Sequence, residues 1–234
     1  IIGICGFDAV FIDMEHSAFD ISIVQQMIVA ADLADITPIV RVSDSDPGFI
    51  LKILDMGAQG IVIPHVDGLA GAKEAVSAVR YAPLGTRGGA GGTRAARFGS
   101  VSWDEHVGTS NEQILLSVMT EDKKAISQVS EIAALDGVDL VALGPTDLSQ
   151  TLGVSGPSDP KLKSEVERIA SEVEEVGNAK LQMPMNHPAF PLTASELVQL
   201  GVGYTNVAPQ PPAILMREMR KAVQSAHDVL GRNN

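Results

Sequence analysis

Length, composition and charge narrow the class of this protein. The chain has 234 residues, enough for one large domain and too few for two ordinary domains with a linker. Hydrophobic residues make up 45% and charged residues 20%, which is typical of globular proteins and excludes disordered, collagen-like and coiled-coil classes. The 17 basic and 29 acidic side chains leave a net charge of −12, which would repel nucleic acid and anionic membranes.

Cysteine usage and hydropathy bear on location. Cys5 is the single cysteine, so no internal disulfide can form and a reducing compartment is expected. No apolar stretch approaches the roughly 18 residues that a membrane span needs, and residues 1–4 lack the basic start of a signal peptide. The sequence therefore predicts a cytoplasmic protein without a membrane or nucleic-acid partner.

Seven short apolar runs rich in Val, Ile and Leu alternate with segments of helical period. These runs cover residues 9–12, 37–42, 60–66, 114–120, 138–143, 180–185 and 202–207. Continuous apolar runs of this length are typical of buried parallel strands. Apolar residues at spacings of three and four predict helices over 21–31 and 162–176, and a further helix over 125–132 that begins near Asp122.

Seven β/α units in a chain of this length predict a TIM (β/α)₈ barrel that occupies residues 1–234 as one domain. Because the sequence opens in what resembles the tail of a helix, we expect the first barrel strand to lie upstream, which would leave the domain N-terminally incomplete. The alternative is a doubly wound open sheet. That fold usually carries a Gly-rich phosphate turn after its first strand, and residues 13–16 form no such turn.

One long segment, residues 83–99, is rich in Gly and Arg. It matches no phosphate-binding fingerprint. A mobile lid or subunit contact, a phosphate site and a plain surface loop all remain open for this segment.

Polar side chains follow most of the predicted strands, where the active site of a parallel barrel forms. Glu121 and Asp147 follow adjacent strands, and two carboxylates at that distance can bind one hard divalent cation. Without histidine or thiolate ligands, Mg²⁺ or Mn²⁺ is favoured over zinc. The alternative is structural: Asp147 could cap a helix and Glu121 could lie in a first helical turn.

His16 and Arg41 are candidate catalytic residues. Asp13, three residues before His16, could hold one ring nitrogen and so tune a general base. Arg41 lies in an apolar run and needs an anion, either Asp13 or Glu15 in a salt bridge or a substrate carboxylate or enolate. An ordinary hydrogen-bonded role remains open for His16. His65 and His187 also follow strands, and structural roles are favoured for both.

Several ordered motifs resemble the HpcH/HpaI aldolase and citrate lyase family. They begin with Phe7-Asp8, Ile12-Asp13-x-Glu15-His16 and Pro38-x-Val40-Arg41. They continue with Leu54-Asp55-x-Gly57-Ala58-Gln59-Gly60, Pro64, Arg80-Tyr81-x-Pro83-x-Gly85-x-Arg87-Gly88, Glu121, Gly137-Val138-Asp139 and Gly144-Pro145-x-Asp147-Leu148-Ser149.

The resemblance implies a metal-dependent class II aldolase on a TIM barrel, cleaving or forming 4-hydroxy-2-oxo acids, with pyruvate and an aldehyde as partners. It implies a homohexamer whose C-terminal helix packs on a neighbouring subunit, and a divalent metal, Mg²⁺ or Mn²⁺ with Co²⁺ possible, without an organic cofactor. By this resemblance Glu121 and Asp147 match metal ligands and His16 the acid/base histidine. Asp13 matches the partner of that histidine, and Arg41 matches the arginine on the pyruvyl carboxylate or enolate. Gly144 and Thr146 match the loop that holds the substrate carboxylate. Glu15 is expected to support these groups, and Asp55 matches an acid that reaches toward a neighbouring subunit's site.

Two departures concern substrate binding. Many relatives have Gln at the position of Met119, where it contacts the 2-oxo group of the substrate. Residues 180–188 do not resemble the small, Gly-rich segment that the resemblance leads us to expect at the sixth predicted strand, so the aldehyde specificity stays open. The alternatives to an aldolase are a related lyase or decarboxylase, a citryl- or malyl-CoA-type lyase, or a non-catalytic metabolite-binding barrel.

Overall fold

The computed structural model describes residues 1–154, 156, 159–207 and 210–230. Its centre is one parallel sheet of seven strands, in which strand order in space follows strand order in the chain. The strands are β1 (Ala9–Asp13), β2 (Thr37–Arg41), β3 (Gly60–Ile63), β4 (Leu115–Met119), β5 (Leu140–Ala142), β6 (Lys180–Gln182) and β7 (Val202–Tyr204). Each predicted apolar run coincides with one of these strands, β1 extending one residue beyond its run, so that part of the prediction is confirmed.

The predicted closed TIM (β/α)₈ barrel is wrong. The sheet is a half-barrel of seven strands, and no pairing joins β1 to β7 within the residues that the structure describes. A barrel closes only when its last strand pairs with its first. Without that pairing, β1 and β7 are the two open edges of the described sheet. The doubly wound alternative also fails, because the strand order never reverses.

Ten helices are described, most of them between consecutive strands. They are α1 (Ile21–Leu33), α2 (Pro47–Asp55), α3 (Gly68–Val79), α4 (Trp103–Gln113), α5 (Lys123–Ser127), α6 (Val129–Ala133), α7 (Pro145–Leu152), α8 (Pro160–Val176), α9 (Ala194–Gln199) and α10 (Pro211–Val229). Residues 3–5 and 97–99 form short 3₁₀ helices. The single helix expected over 125–132 is two helices, because the backbone of Gln128 leaves the helical region at φ −117° and ψ 20°.

Alternation along the strands separates two faces of the sheet. One face packs against the helices and forms the hydrophobic core, with Ile12, Val40, Ile61, Leu116 and Val141 fully buried. The other face carries the polar side chains, because residues two apart point the same way. At the carboxyl ends of the strands that second face bears Asp13, Arg41, Met119 and Gln182.

The amino ends of β4 and β5 are held by a buried arginine. Arg80 follows α3 and donates to the carbonyl of Gly137 and to Asp139 Oδ2, each at 2.8 Å. The same carboxylate oxygen accepts the backbone N–H of Leu116 at 2.6 Å. This network fixes the amino end of the sheet, opposite the carboxyl ends that bear Asp13 and Arg41.

Helix α10 differs from the others in burial. None of its described residues is buried, and Leu215, Met216, Met219 and Val223 expose half or more of their surface. Across the described ranges, no helix combines the length and apolar character that crossing a bilayer requires.

Candidate active site

The carboxyl ends of six strands bring one set of polar residues together. Because the strands are parallel, their ends meet at a single edge of the sheet. The residues at or just after these ends are Asp13, Glu15, His16, Arg41, His65, Glu121, Gly144, Asp147 and His187.

Asp13 and Arg41 form the ion pair at the ends of β1 and β2. They are direct partners in the register of the two strands. Arg41 donates from Nε to Oδ1 at 2.9 Å and from Nη2 to Oδ2 at 2.6 Å, a bidentate arrangement. Burial alone would raise the pKa of Asp13, but the hydrogen bonds and charge of Arg41 outweigh it and lower that pKa. The salt bridge considered for Arg41 is therefore present.

Glu15 connects this ion pair to two histidines. Its Oε2 lies 3.2 Å from Arg41 Nη1 and 3.7 Å from His16 Nε2, and its Oε1 lies 3.0 Å from His65 Nε2. The Glu15 side chain is only 11% exposed. One carboxylate therefore lies near three side chains from three successive β/α units.

The expected contact between Asp13 and the ring of His16 is not formed. Asp13 Oδ1 accepts the backbone N–H of His16 at 3.3 Å, while both Asp13 oxygens are held by Arg41. The His16 side chain is 67% exposed, and Glu15 is its acidic neighbour. Strand register, which pairs Asp13 with Arg41, decides this outcome.

His65, for which the sequence favoured a structural role, lies between two acids of the cluster. Its Nε2 faces Glu15, and its Nδ1 lies 3.7 Å from Glu121 Oε2. The backbone at His65 has φ +49°, an uncommon conformation for a residue other than glycine. Its place directly after β3 was the available signal, and the bridge between two acids required the tertiary structure.

Glu121 and Asp147 flank Gly144. Glu121 is 3% exposed, and its Oε1 has no hydrogen-bond partner among the described residues. Burial raises the pKa of Glu121 to about 8, with further contributions from the negative charges of Asp147 and Glu15. Arg41 and the backbone N–H of Gly144 act in the opposite direction but are outweighed.

These features fit a divalent cation. A buried carboxylate with an unpartnered oxygen beside a second carboxylate is an unfavourable arrangement that a cation would neutralise. The described residues contain no group of three or more His, Cys, Asp or Glu side chains placed to hold a metal. Two carboxylates therefore match an ion such as Mg²⁺, which is commonly bound by one or two carboxylates while water and substrate fill the other positions.

Met119 and Thr146, the remaining residues expected near the substrate, precede Glu121 and Asp147 by two residues and one residue. The sulfur of Met119 lies 4.0 Å from Arg41 Nη1, so Met119 borders the arginine. Thr146 is exposed in the first turn of α7, two residues after the N-cap residue Gly144. The first N–H groups of a helix lack intrahelical partners and favour an anion.

Asp55 lies apart from this cluster. It ends α2, and its carboxylate accepts from Arg87 Nη2 at 3.0 Å. Arg87 belongs to the Gly- and Arg-rich segment, and a second arginine of that segment, Arg94, pairs with Asp32 at 2.6 Å. These arginines tie the segment to α1 and α2. That Asp55 reaches toward a neighbouring subunit stays a prediction.

Comparison with known proteins identifies the family. The HpcH/HpaI aldolase/citrate lyase family model matches residues 1–203. The chain belongs to this family, as its motifs predicted.

Individual relatives agree with this assignment. A pyruvate aldolase of Rhizobium etli is 34% identical over 213 residues, covering 88% of this chain and 80% of that protein. A hydroxypyruvate/pyruvate aldolase of Sagittula stellata is 39% identical over 163 residues, covering 69% of this chain and 64% of that protein. The crystal structure of an HpcH/HpaI aldolase from Desulfitobacterium hafniense DCB-2 superposes with a TM-score of 0.86 at 27% identity, covering 100% of this chain and 88% of that one.

The chain is therefore an enzyme, a lyase of the aldolase class. This confirms the predicted enzyme class and removes the alternative of a non-catalytic metabolite-binding barrel.

Proposed function

We propose that this chain is a divalent-metal-dependent aldolase that cleaves 4-hydroxy-2-oxo acids to pyruvate and an aldehyde, and forms them in reverse. The observation that carries the proposal is the buried, unpartnered carboxylate of Glu121 beside Asp147. The names of the relatives, pyruvate aldolase and hydroxypyruvate/pyruvate aldolase, support pyruvate as the 2-oxo product.

Glu121 and Asp147 would hold the metal, Mg²⁺ or Mn²⁺ with Co²⁺ as a further candidate. When bound, the ion supplies Lewis acidity to the 2-oxo and carboxylate oxygens of the substrate. Gly144 leaves room for both carboxylates, since a methyl group there would meet Glu121 and lie 3.5 Å from Asp147 Oδ2. The proposal includes no organic cofactor.

Arg41 would stabilise the negative charge of the pyruvate enolate. Its Nε and Nη2 donate to Asp13. Nη1 lies 3.2 Å from Glu15 Oε2 and 4.0 Å from the Met119 sulfur, and one of its two N–H groups would serve the substrate. Asp13 thus positions Arg41. A preorganised cation aimed at developing charge is among the largest contributions to catalysis.

His16 would remove the proton from the C4 hydroxyl as the C3–C4 bond breaks, and water would carry that proton to C3 of the enolate to give pyruvate. Condensation would run through the same steps in reverse. The exposed ring lies at the edge of the cluster, where water can carry the proton between the ring and the hydroxyl. Glu15 lies near His16, Arg41 and His65 and holds the relative positions of these groups.

The substrate carboxylate would lie at the amino end of α7, against the backbone N–H groups of Gly144 and Thr146. This helix begins beside Asp147, so a metal held there and the helix N-terminus would face the same end of the substrate. Met119 cannot donate a hydrogen bond to the 2-oxo group, so that group depends on the cation and Arg41.

We propose that the enzyme assembles as a homohexamer through α10 and acts in the cytoplasm. The exposed apolar side chains of α10 support an interface with other copies of the chain. The single, exposed Cys5 is compatible with a reducing compartment.

One experiment tests the reaction. Pyruvate is incubated with a panel of aldehydes, with and without EDTA, and the products are identified by mass spectrometry. We expect 4-hydroxy-2-oxo acids that disappear with EDTA and return with Mg²⁺, Mn²⁺ or Co²⁺. Full activity in metal-free protein, or decarboxylation of pyruvate without any 4-hydroxy-2-oxo acid, would reject the proposal.

A further inference from the structure

The loop after β6 is held rigidly at the same edge of the sheet as the proposed site. Met185 donates its backbone N–H to Asn206 at 2.9 Å, and Asn186 donates to Leu192 at 2.8 Å. Phe190 is 6% exposed and donates its N–H to the carbonyl of His187 at 3.0 Å. We name residues 185–192 the β6 loop.

The ring of His187 has a defined role inside this loop. Its Nδ1 accepts the backbone N–H of Ala189 at 3.2 Å, so Nδ1 carries no proton. Burial lowers the pKa of His187, although the charge of Asp147 works against this effect. The ring is therefore neutral at neutral pH and carries its proton on Nε2. Among the described residues no protein group accepts that Nε2–H, and the half-buried side chain leaves it open to solvent or a ligand.

His187 lies on the side of the proposed metal site, close enough for the charge of Asp147 to act on its ring. Strand β6 is the direct neighbour of β5, which leads into Gly144 and Asp147. The groups assigned to the pyruvyl part of the substrate lie at the carboxyl ends of β2, β4 and β5. They are Arg41, Glu121 and Gly144. His187, beyond β5, is left for the other half of the substrate.

We propose that His187 Nε2–H donates a hydrogen bond to the aldehyde half of the substrate and selects 2-hydroxyaldehydes over alkyl aldehydes. This inference rests on the proposed aldolase function. A neutral donor beside an acidic site suits a hydroxyl or carbonyl oxygen. A half-buried donor that bound substrate closes off from water and leaves without an acceptor is also penalised, which discriminates against an alkyl aldehyde of equal size.

Glycolaldehyde and propionaldehyde test this selection, because they differ by one hydroxyl in place of a methyl group. His187→Asn keeps an acceptor where Nδ1 lies and loses the reach of Nε2. His187→Gln keeps a donor near the Nε2 position and loses the loop acceptor. We expect wild-type kcat/KM to favour glycolaldehyde by roughly 3- to 10-fold, the ratio that one net hydrogen bond of about 1 kcal/mol supplies.

The two variants should then separate the donor from the loop. His187→Asn should lose most of the preference for glycolaldehyde, and His187→Gln should retain at least half of it. A wild-type enzyme that uses both aldehydes equally would overturn the inference. So would the opposite pattern, a neutral His187→Asn and a damaged His187→Gln, because that pattern reports only loop structure.

Deuterium incorporation into the methyl group of pyruvate, without any aldehyde, provides the independent control. It reports enolate formation and should stay within twofold of wild type in both variants. Absence of this exchange in the wild-type enzyme would overturn the proposed function, and the inference with it. Normal exchange without aldehyde discrimination would overturn the inference alone.

Discussion

Gly144 lies directly against the carboxylate of Glu121. A Cβ at position 144 would overlap Oε1 of Glu121 and come within 3.0 Å of its Cδ. The backbone N–H of Gly144 also interacts with this carboxylate. The residue that follows β5 therefore determines where the acid that follows β4 can lie.

Gly144→Ala should displace the Glu121 carboxylate and weaken metal binding. We expect Mn²⁺ affinity to fall at least tenfold, measured by isothermal titration calorimetry, because the buried side chain has no free space to move into. Gly91→Ala is the matched control, since a Cβ at that position meets nothing within 4 Å. Equal Mn²⁺ affinity in Gly144→Ala and wild type would contradict the assignment of Glu121 as a ligand.

Glu121→Gln should stabilise the metal-free protein and abolish Mn²⁺ binding. Because the pKa of Glu121 is raised from 4.5 to about 8, the folded state binds the extra proton between these values. The free energy of unfolding of the wild type therefore falls, through this group, as the pH rises from 4.5 to 8. The variant lacks this dependence.

Urea unfolding in EDTA at pH 5, 6, 7 and 8 measures the effect. The stability of Glu121→Gln relative to wild type should increase steadily with pH, reaching on the order of 1 to 4 kcal/mol at pH 8. A difference that does not vary with pH would show that the carboxyl titrates normally in the folded protein.

Arg41→Lys should reduce kcat/KM by roughly 10²-fold, because an ammonium group cannot both satisfy Asp13 at two positions and reach the substrate. Its Mn²⁺ affinity should remain within twofold of wild type. Arg217→Lys, on the exposed side of α10 beside Glu218, is the control substitution. Near wild-type kinetics in Arg41→Lys would show that Arg41 serves only as the structural salt-bridge partner of Asp13.

His16→Ala should lower kcat by roughly 10²- to 10⁴-fold, the usual contribution of a positioned acid/base group. Metal affinity should be unaffected, since the ring contacts Glu15 and neither proposed ligand. Steady-state kinetics and Mn²⁺ titration measure the two effects separately. His227→Ala in α10 serves as the control histidine, and a His16→Ala enzyme with unchanged kcat would return His16 to an ordinary surface role.

Pyruvate and borohydride should leave the mass of the protein unchanged. A Schiff-base lysine must point into the site with a lowered pKa, and Lys180 stands at the amino end of β6, away from the strand ends that carry the site. Mass spectrometry after reduction checks this. A stable pyruvyl adduct on Lys180 with loss of activity would contradict the metal-dependent mechanism.

The seven apolar runs identified the strands because a strand buried in a parallel sheet has few polar positions to obscure its pattern. The same pattern could not establish closure. Whether the sheet closes depends on a hydrogen-bonded partner for the edge strands, and no local feature of β1 or β7 encodes one. The barrel prediction failed at this point.

The motifs indicated the family, which the comparison confirms, and they placed polar side chains at the strand ends. They did not indicate how those side chains pair. Asp13 was expected to hold the ring of His16 but holds Arg41, because interstrand register places Asp13 and Arg41 side by side. A spacing of three residues along the chain constrains the position of two side chains less than the backbone hydrogen bonds between β1 and β2 do.

The sequence by itself determined the parallel α/β class, the family and the residues that gather at the carboxyl ends of the strands. These follow from local composition and from the direction of parallel strands. Only the tertiary structure decided the open half-barrel, the bridge that His65 makes between Glu15 and Glu121, and the raised pKa of Glu121. Each of these depends on groups from different β/α units, whose separation in space is set by packing rather than by chain spacing.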